Sequence, residues 1–265
     1  ALFLYGMNIM GEGLEKLAGS KLEKIFEKLT SNKFKGLILG MTVTAIIQSS
    51  STTTVMLVGF VNSGIMKLSQ AIPIIMGSNI GTTITSWILS LSGLESDNFF
   101  IKMLKPTSFS PIIPLVGINL IMTKKSDKAK VIGNALLGFS ILMFGMNTMG
   151  SAVEPLSEVP EFREVMAKFS NPFLGVIVGA VLTAIIQSSA ASVGMLQSLS
   201  NANLITFGSA IPIILGQNIG TCATALLSCI GANKNAKRVA IVHLFFNVIG
   251  TVVFLAIFYT LNAFC

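Results

Sequence analysis

The sequence predicts an all-α membrane protein made of two inverted-topology repeats, each with a re-entrant helical hairpin and a broken transmembrane helix. Its 265 residues are 52% hydrophobic and only 11% charged, with a mean hydropathy of +0.78. Such a composition is typical of proteins that cross a membrane several times, because soluble domains need more surface charge. A second observation is an internal repeat, since the letters TAIIQSS occupy both residues 44–50 and residues 183–189.

Long stretches of the chain carry almost no charge. Residues 36–94 contain one charged residue, Lys67, and residues 171–232 contain none. Each stretch is long enough for two or more crossings of about 20 residues. The net charge of +7 is concentrated in short loops, so it does not indicate a nucleic-acid-binding surface. We therefore expect the lipid bilayer as a partner and no nucleic acid.

The charged loops supply the third observation. The loops at 16–35 and 233–238 are basic, whereas those at 94–98 and 151–170 have no excess of Lys or Arg. Basic loops are expected on the cytoplasmic side of a membrane. Equivalent loops of the two halves differ in sign, which predicts two halves related by an axis in the membrane plane.

These patterns divide the chain into two repeats. We expect a first transport repeat at 1–122, a cytoplasmic linker at 123–130 and a second, inverted repeat at 131–265. The first repeat is expected to be truncated at its N-terminus. The reason is that Ala1 aligns with Ser140, whereas the first apolar segment of the second copy begins near Val131.

The first elements in order are a span and an amphipathic segment. Residues 2–10 are expected to be the inner part of a first span. Apolar residues recur at helical spacing over 12–29, which predicts an interfacial amphipathic helix or, equally, an ordinary solvated helix. Residues 36–47 and 55–61 are too short to cross a bilayer. We expect them to form a re-entrant hairpin whose arms meet at the polar residues 48–54.

Glycine spacing predicts how each hairpin packs. Gly36 and Gly40 in the first half, and Gly175 and Gly179 in the second, have the spacing that lets two helices approach closely. A Gly-x-Asn-x-Gly element follows each hairpin, at 77–81 and 216–220. In a spanning segment this element predicts an unwound helix, and broken spans in both halves indicate a transporter's central site.

The remaining apolar segments are expected to cross as ordinary spans. These segments are residues 99–122, 131–150 and 238–261, the first of them kinked by Pro106, Pro111 and Pro114.

The segments predicted at membrane depth offer hydroxyl and carboxamide side chains but no Asp, Glu, Lys or Arg. A proton relay would need ionisable groups there, and metal-assisted hydrolysis would need clusters of His, Cys or carboxylates. No phosphate-binding P-loop sequence occurs either. The sequence therefore predicts a protein that is not an enzyme and that uses no organic cofactor.

Hydroxyls, carboxamides and backbone carbonyls bind hard monovalent cations, whereas helix N-termini and hydroxyls donate hydrogen bonds to oxyanions. An isolated buried anion is costly, with an idealised penalty on the order of tens of kcal/mol. Cations bound beside the anion would offset much of this penalty. We therefore expect sodium ions and an oxyanion to enter together.

Several motifs together resemble the type II sodium-dependent phosphate cotransporter family. They are QSSST at 48–52, QSS at 187–189, the two GxNIGT elements at 77–82 and 216–221, and HLFFN at 243–247. The resemblance covers nearly the whole chain. It implies a bacterial member of the family that crosses the cell membrane several times, and in a bacterium we expect this to be the inner membrane. It implies secondary active symport of inorganic phosphate with sodium by alternating access, with the substrate between the two Gln-Ser-Ser tips.

The resemblance also implies binding residues, carried over by position. The expected phosphate ligands are Gln48, Ser49, Ser50, Ser51, Gln187, Ser188 and Ser189. The expected sodium ligands are Gln48, Thr52, Thr53, Asn79, Thr82, Thr83, Gln187, Ser192, Asn218 and Thr221. Ala190 stands where the first copy has Ser51, and Cys222 where it has Thr83, so we expect the two copies to bind asymmetrically.

Two other functions remain open at this point. The chain could carry another small anion with sodium, or form a passive anion or cation channel in which carbonyls and hydroxyls act as a filter. Paired inverted hairpins favour alternating access over a pore, and no Arg lies in the expected site to bind a carboxylate. A homodimer is left open as well.

Overall fold

All regular structure is helical in the parts of the chain that the computed structural model describes, which are residues 1–18, 32–91, 108, 110–169 and 171–264. The α-helices are α1 (Leu2–Ala18), α2 (Lys33–Ile47), α3 (Ser50–Asn62), α4 (Leu68–Ser90), α5 (Ile113–Thr123), α6 (Asp127–Val153), α7 (Pro160–Lys168), α8 (Pro172–Ile186), α9 (Ser189–Asn201), α10 (Phe207–Ser228) and α11 (Lys234–Phe264). A short 3₁₀ helix, Glu154–Glu158, connects α6 to α7. The predicted all-α class is confirmed.

Four helices within the described ranges are long and apolar enough to cross a membrane. They are α4, α6 with the 3₁₀ helix that follows it, α10 and α11, and the shorter helices α5 and α8 are apolar as well. Large apolar side chains lie on their outer surfaces, for example Trp87 at 72% and Phe173 at 80% exposure. So much exposed apolar surface is expected to contact lipid.

Each copy of the Gln-Ser-Ser sequence forms the same turn between two helices. The 15-residue helices α2 and α8 end at Gln48 and Gln187, whose backbones are left-handed with φ of 61° and 58°. The 13-residue helices α3 and α9 begin after Ser49 and Ser188, whose hydroxyls cap them. The polar residues therefore end one helix and start the next. That these helix pairs are re-entrant, and that the halves are inverted, stay predictions.

Glycines bring the first arm of each pair against a long helix, α2 against α4 and α8 against α10. A β-carbon at Gly40 would clash with the carbonyl oxygen of Ile74, and one at Gly179 with that of Ile213. The two backbones touch at these points, so any side chain would push the helices apart. The close packing predicted from the glycine spacing is confirmed.

The predicted break at the Gly-x-Asn-x-Gly elements is wrong, because α4 and α10 are continuous over their full lengths. Their glycines instead allow close packing against a neighbouring helix. A β-carbon at Gly77 would clash with the carbonyl oxygen of Leu37 in α2, and one at Gly216 with that of Val176 in α8. These glycines lie where helix backbones meet, and they keep helical geometry.

Two further expectations about the first half are corrected. Residues 12–18 continue α1 instead of starting a separate amphipathic helix. Helix α5 begins at Ile113 after a turn at 110–112. Pro111 therefore lies before the helix and Pro114 lies in its first turn, where proline is tolerated. The remainder of the amphipathic segment, Pro106 and the acidic loop at 94–98 lie outside the described residues. The spans predicted at 131–150 and 238–261 lie within α6 and α11.

The buried core joins the two halves. One apolar cluster contains Ile47, Leu57 and Ile74 from the first half together with Ala225 and Val239 from the second. A second cluster packs α1 against α6 and reaches Leu89 of α4 and Ala191 of α9. This second cluster therefore joins α1 and α6 to one helix of each half.

Candidate functional site

Both Gln-Ser-Ser turns line one cavity of about 620 Å³. We call residues 48–52 the first tip and residues 187–190 the second tip. The polar residues of the cavity wall are Asn8, Glu12, Glu15, Gln48, Ser49, Ser50, Ser51, Thr52, Thr82, Thr85, Gln187, Ser188 and Ser189. Apolar residues of α1, α2, α4, α6 and α8 complete the wall. Two copies of one sequence that lie far apart along the chain thus meet at a single place.

Hydrogen bonds hold the first tip on both sides. Gln48 Oε1 accepts a hydrogen bond from Thr85 Oγ1 of α4 at 2.6 Å, and Gln48 Nε2 donates to the carbonyl of Ala45. Ser49 Oγ accepts from the backbone amide of Thr52 at 3.1 Å. The carboxamide of Gln48 is engaged at both ends, so its orientation is fixed relative to α4.

The second tip has the same cap but lacks one of these hydrogen bonds. Ser188 Oγ accepts from the backbone amide of Ala191 at 3.2 Å, and Ser192 Oγ donates to the carbonyl of Ser188 at 3.1 Å. Thr224 occupies the position of Thr85, but its buried hydroxyl has no partner. The bond that holds Gln48 therefore has no equivalent at Gln187.

Helix ends of opposite polarity meet at each tip. The C-terminal ends of α2 and α8 carry partial negative charge, and the N-terminal ends of α3 and α9 carry partial positive charge. Backbone amides and Ser hydroxyls at the N-terminal ends favour an oxyanion. Free carbonyls at the C-terminal ends favour a cation. Each tip can therefore stabilise an anion and a cation side by side.

Behind the tips, the two halves differ in how their buried polar groups are paired. In the first half, Thr44 Oγ1 lies 3.1 Å from Thr53 Oγ1 and 3.0 Å from Ser78 Oγ. In the second half, Thr183 Oγ1 and both polar atoms of the Gln217 carboxamide are buried without a partner. Since buried polar groups are normally hydrogen-bonded, these atoms are candidates to hold a ligand.

Nine of the expected binding residues line the cavity. They are Gln48, Ser49, Ser50, Ser51, Thr52, Thr82, Gln187, Ser188 and Ser189. Thr53, Ser192 and Thr221 are buried behind the tips, and Thr83 and Asn218 are exposed. Asn79 Oδ1 lies 3.4 Å from His243 Nε2 of α11. The structure thus brings both tips together and places the other six residues outside the cavity wall.

Four polar residues of the wall, Asn8, Glu12, Glu15 and Thr85, were missed by sequence reasoning. Thr85 could have been found, because Thr224 occupies the same position in the second copy. Glu12 and Glu15 fall in the segment expected to be an interfacial helix, and they reach the cavity because α1 continues through them. Glu12 also forms an exposed ion pair with Lys16 at 3.7 Å. Lys and Arg are absent from the described part of the wall.

Comparison with known proteins identifies relatives along the whole chain. A sequence profile described as Na+/Pi-cotransporter matches residues 2–151 and again residues 141–263. The uncharacterized protein YqeW of Bacillus subtilis is 32% identical over 249 residues, which cover 94% of this chain and 76% of that protein. No solved structure shows a significant match.

Two further relatives carry functional names. The putative inorganic phosphate export protein YjbB of Escherichia coli K12 is 27% identical over 256 residues, 96% of this chain and 45% of that protein. The sodium-dependent phosphate transport protein 2A of Rattus norvegicus is 41% identical over 92 residues, 34% of this chain and 14% of that protein. The chain thus spans less than half the length of these two relatives.

The resemblance inferred from the motifs is confirmed by these matches. The apolar helices and the transporter relatives together make this chain a multi-pass membrane protein. Because the profile covers both halves and one relative matches over most of its own length, the chain belongs to the Na+/Pi-cotransporter family.

Proposed function

We propose that this protein transports inorganic phosphate together with sodium by alternating access, with phosphate bound between the first and second tips. The observation that carries the proposal is that both tips line one cavity. The name of the rat relative includes sodium-dependent phosphate transport, and that of the Escherichia coli relative includes inorganic phosphate. Both names support phosphate as the substrate.

The chemistry of the tips suits a tetrahedral oxyanion. Ser49, Ser50 and Ser51 of the first tip and Ser188 and Ser189 of the second tip all line the cavity. Hydroxyls and the free amides at the starts of α3 and α9 can donate hydrogen bonds to several phosphate oxygens. Ala190 replaces one hydroxyl in the second tip, so the first tip makes the larger contribution to binding.

Sodium is proposed as the coupling ion because the described wall offers phosphate no basic partner. Gln48, Thr52, Thr82 and Gln187 line the cavity and supply neutral oxygens, which suit a monovalent cation beside the C-terminal ends of α2 and α8. The carboxylates of Glu12 and Glu15 add negative charge to the same wall. Phosphate binding should therefore depend on prior or simultaneous binding of cations.

A link between the halves supports the proposed inverted topology. The backbone amide of Asn233, between α10 and α11, donates to Asn62 Oδ1 at the end of α3 at 2.8 Å. The end of α3 therefore lies beside the basic loop at 233–238, which is expected in the cytoplasm. That position agrees with a hairpin that enters and leaves on the cytoplasmic side. The bacterial inner membrane and the repeat boundaries at 122 and 131 are part of the same proposal.

The direction of net transport follows from the gradients. In a symporter the driving ion sets the direction, so an inward sodium gradient gives uptake. The Escherichia coli relative is named as a putative export protein, which favours efflux as a second candidate. Vesicles loaded with phosphate and given an outward gradient would measure the efflux rate directly.

Binding linkage tests the proposal without transport. The purified full chain in lipid nanodiscs is titrated with phosphate in sodium chloride and in choline chloride, with acetate and sulfate as competing anions. We expect phosphate to bind at least about tenfold more tightly in sodium, because coupling of two sites is typically 5- to 150-fold. Equal affinity in both salts would contradict coupling, and tighter binding of another anion would contradict phosphate as the substrate.

A further inference from the structure

The second repeat contains buried polar atoms that have no partner, whereas the matching atoms of the first repeat are paired. Thr183 is 0% exposed and Gln217 is 1% exposed. Neither the hydroxyl of Thr183 nor the carboxamide of Gln217 has a hydrogen-bond partner. In the first repeat the equivalent residues are Thr44 and Ser78, and Thr44 Oγ1 donates a hydrogen bond to Ser78 Oγ at 3.0 Å. The polar side chains at this position are therefore hydrogen-bonded in the first repeat and without a hydrogen-bond partner in the second.

Thr183 and Gln217 belong to one interface. A β-carbon at Gly220 would lie 2.8 Å from that of Thr183, and one at Gly179 would lie 3.0 Å from the backbone nitrogen of Gln217. Both side chains thus lie where α8 packs against α10. Ser192 of α9, which corresponds to Thr53 of the first repeat, is fully buried and donates its proton to the carbonyl of Ser188. Its oxygen remains able to accept.

The chemistry of this place favours a monovalent cation. It offers two hydroxyl oxygens and one carboxamide oxygen, which is available whichever way the amide is turned. No charged side chain occurs in residues 171–232, so a divalent ion would lack the carboxylates that it prefers. The C-terminal end of α8 lies within one turn of Thr183 and adds partial negative charge.

We propose that Thr183, Ser192 and Gln217 form a sodium site in the second repeat, and that the equivalent position in the first repeat is closed by its own hydrogen bonds. The identity of the ion rests on the proposed function. The site lies behind the second tip, and the hydrogen bond from Ser192 to the Ser188 carbonyl connects the two. An ion there stabilises the turn whose hydroxyls face the cavity, so sodium binding prepares the second tip for phosphate.

Sodium-dependent thermal stability tests the site without phosphate. The unfolding midpoint of the purified full chain is measured as sodium chloride replaces choline chloride. We expect the wild-type midpoint to rise with sodium, as it does for any ligand that binds the folded state alone. Thr183→Val and Gln217→Leu, which remove oxygens at nearly constant volume, should shift the sodium response to at least about tenfold higher concentration. Thr183→Ser should restore it.

The first repeat supplies the matched controls. Thr44→Val and Ser78→Ala remove paired hydroxyls, so they should lower the midpoint in choline but leave the sodium dependence unchanged. The proposal is overturned if the wild type shows no response, if Thr183→Val and Gln217→Leu respond like the wild type, or if Thr44→Val loses the response equally. If the wild type and the variants show the expected sodium responses but the protein does not bind phosphate, the result would support this site and contradict the proposed function.

Discussion

Ser49 and Ser188 each have two roles, since each hydroxyl caps a helix and lies on the cavity wall. Ser49→Ala and Ser188→Ala should each lower phosphate uptake at least about tenfold, because a hydrogen bond to a charged group contributes roughly 1.5–3 kcal/mol. Initial uptake rates into proteoliposomes over a range of phosphate concentrations measure the effect. The loss should appear mainly as weaker apparent phosphate affinity.

A matched variant separates the cap from the binding site. Thr206 caps α10 through a hydrogen bond from the amide of Ser209 at 3.3 Å, and it does not line the cavity. Thr206→Ala loses a cap of the same kind, at a cost of about 0.5–2 kcal/mol, and should keep its uptake. Ser63→Ala, at the exposed end of α3, should also leave phosphate uptake unchanged. Equal losses in Thr206→Ala and Ser49→Ala would show that helix stability alone explains the effect.

At the residue scale, the sequence located the tips but not the partners of each side chain. Gln48 and the serines after it interrupt an apolar run, and this pattern was sufficient to predict the polar turn between α2 and α3. The orientation of α4 was not visible in the same way. Asn79 and Thr85 are six residues apart, so they point about 120° apart around the helix. Asn79 therefore meets His243, while Thr85 holds Gln48.

At the element scale, the glycines of α2 and α8 make a direct prediction about packing. Gly40→Ala and Gly179→Ala should each destabilise the protein by about 1–3 kcal/mol, because the added methyl group would overlap the backbone of the facing helix. Thermal unfolding of the purified protein measures the loss. Gly59→Ala is the control, since a β-carbon there meets nothing within 4 Å.

The control should behave in the opposite way. Gly59 lies inside α3, where alanine is favoured over glycine by about 0.5–1 kcal/mol, so Gly59→Ala should raise or preserve the midpoint. A midpoint for Gly40→Ala as high as that of Gly59→Ala would show that α2 and α4 are not packed backbone to backbone. The same comparison applies to Gly179→Ala in the second repeat.

The elements also show why one sequence prediction failed. The sequence analysis predicted an unwound backbone at Gly77 and Gly216, although glycine also permits a close contact between two helices. Only the position of α2 and α8 decides between them, because the carbonyl oxygens of Leu37 and Val176 occupy the space of a side chain. The reason for glycine at these two positions is therefore tertiary packing, which the local sequence does not reveal.

At the scale of the whole molecule, loop charge predicts that the ends of α3 and α9 lie on opposite sides of the membrane. Ser63→Cys and Asn201→Cys place a thiol at these ends, in a Cys265→Ser background, since Cys222 and Cys229 are buried. In intact cells a membrane-impermeant maleimide should label Asn201→Cys, and Ser63→Cys only after permeabilisation. Labelling of both from the same side would contradict the inverted repeats.

Composition and loop charge sufficed to predict the helical class and the spans at α6 and α11, since both depend on patterns along the chain. The shared cavity depends on contacts between distant parts. The core that joins Ile47 and Leu57 to Ala225 and Val239 leaves no separate signal in either half. The repeated tips could therefore be predicted, whereas the α1 wall with Glu12 and Glu15 could not.

Uptake of radiolabelled phosphate into sealed proteoliposomes tests the central claim most directly. The full chain is given an inward sodium gradient or a matched potassium gradient, with valinomycin to set the membrane potential. We predict accumulation of phosphate above its external concentration only with the sodium gradient, and its loss when sodium is equal on both sides. Equal uptake in sodium and potassium, or equilibration without accumulation, would contradict sodium-coupled phosphate transport.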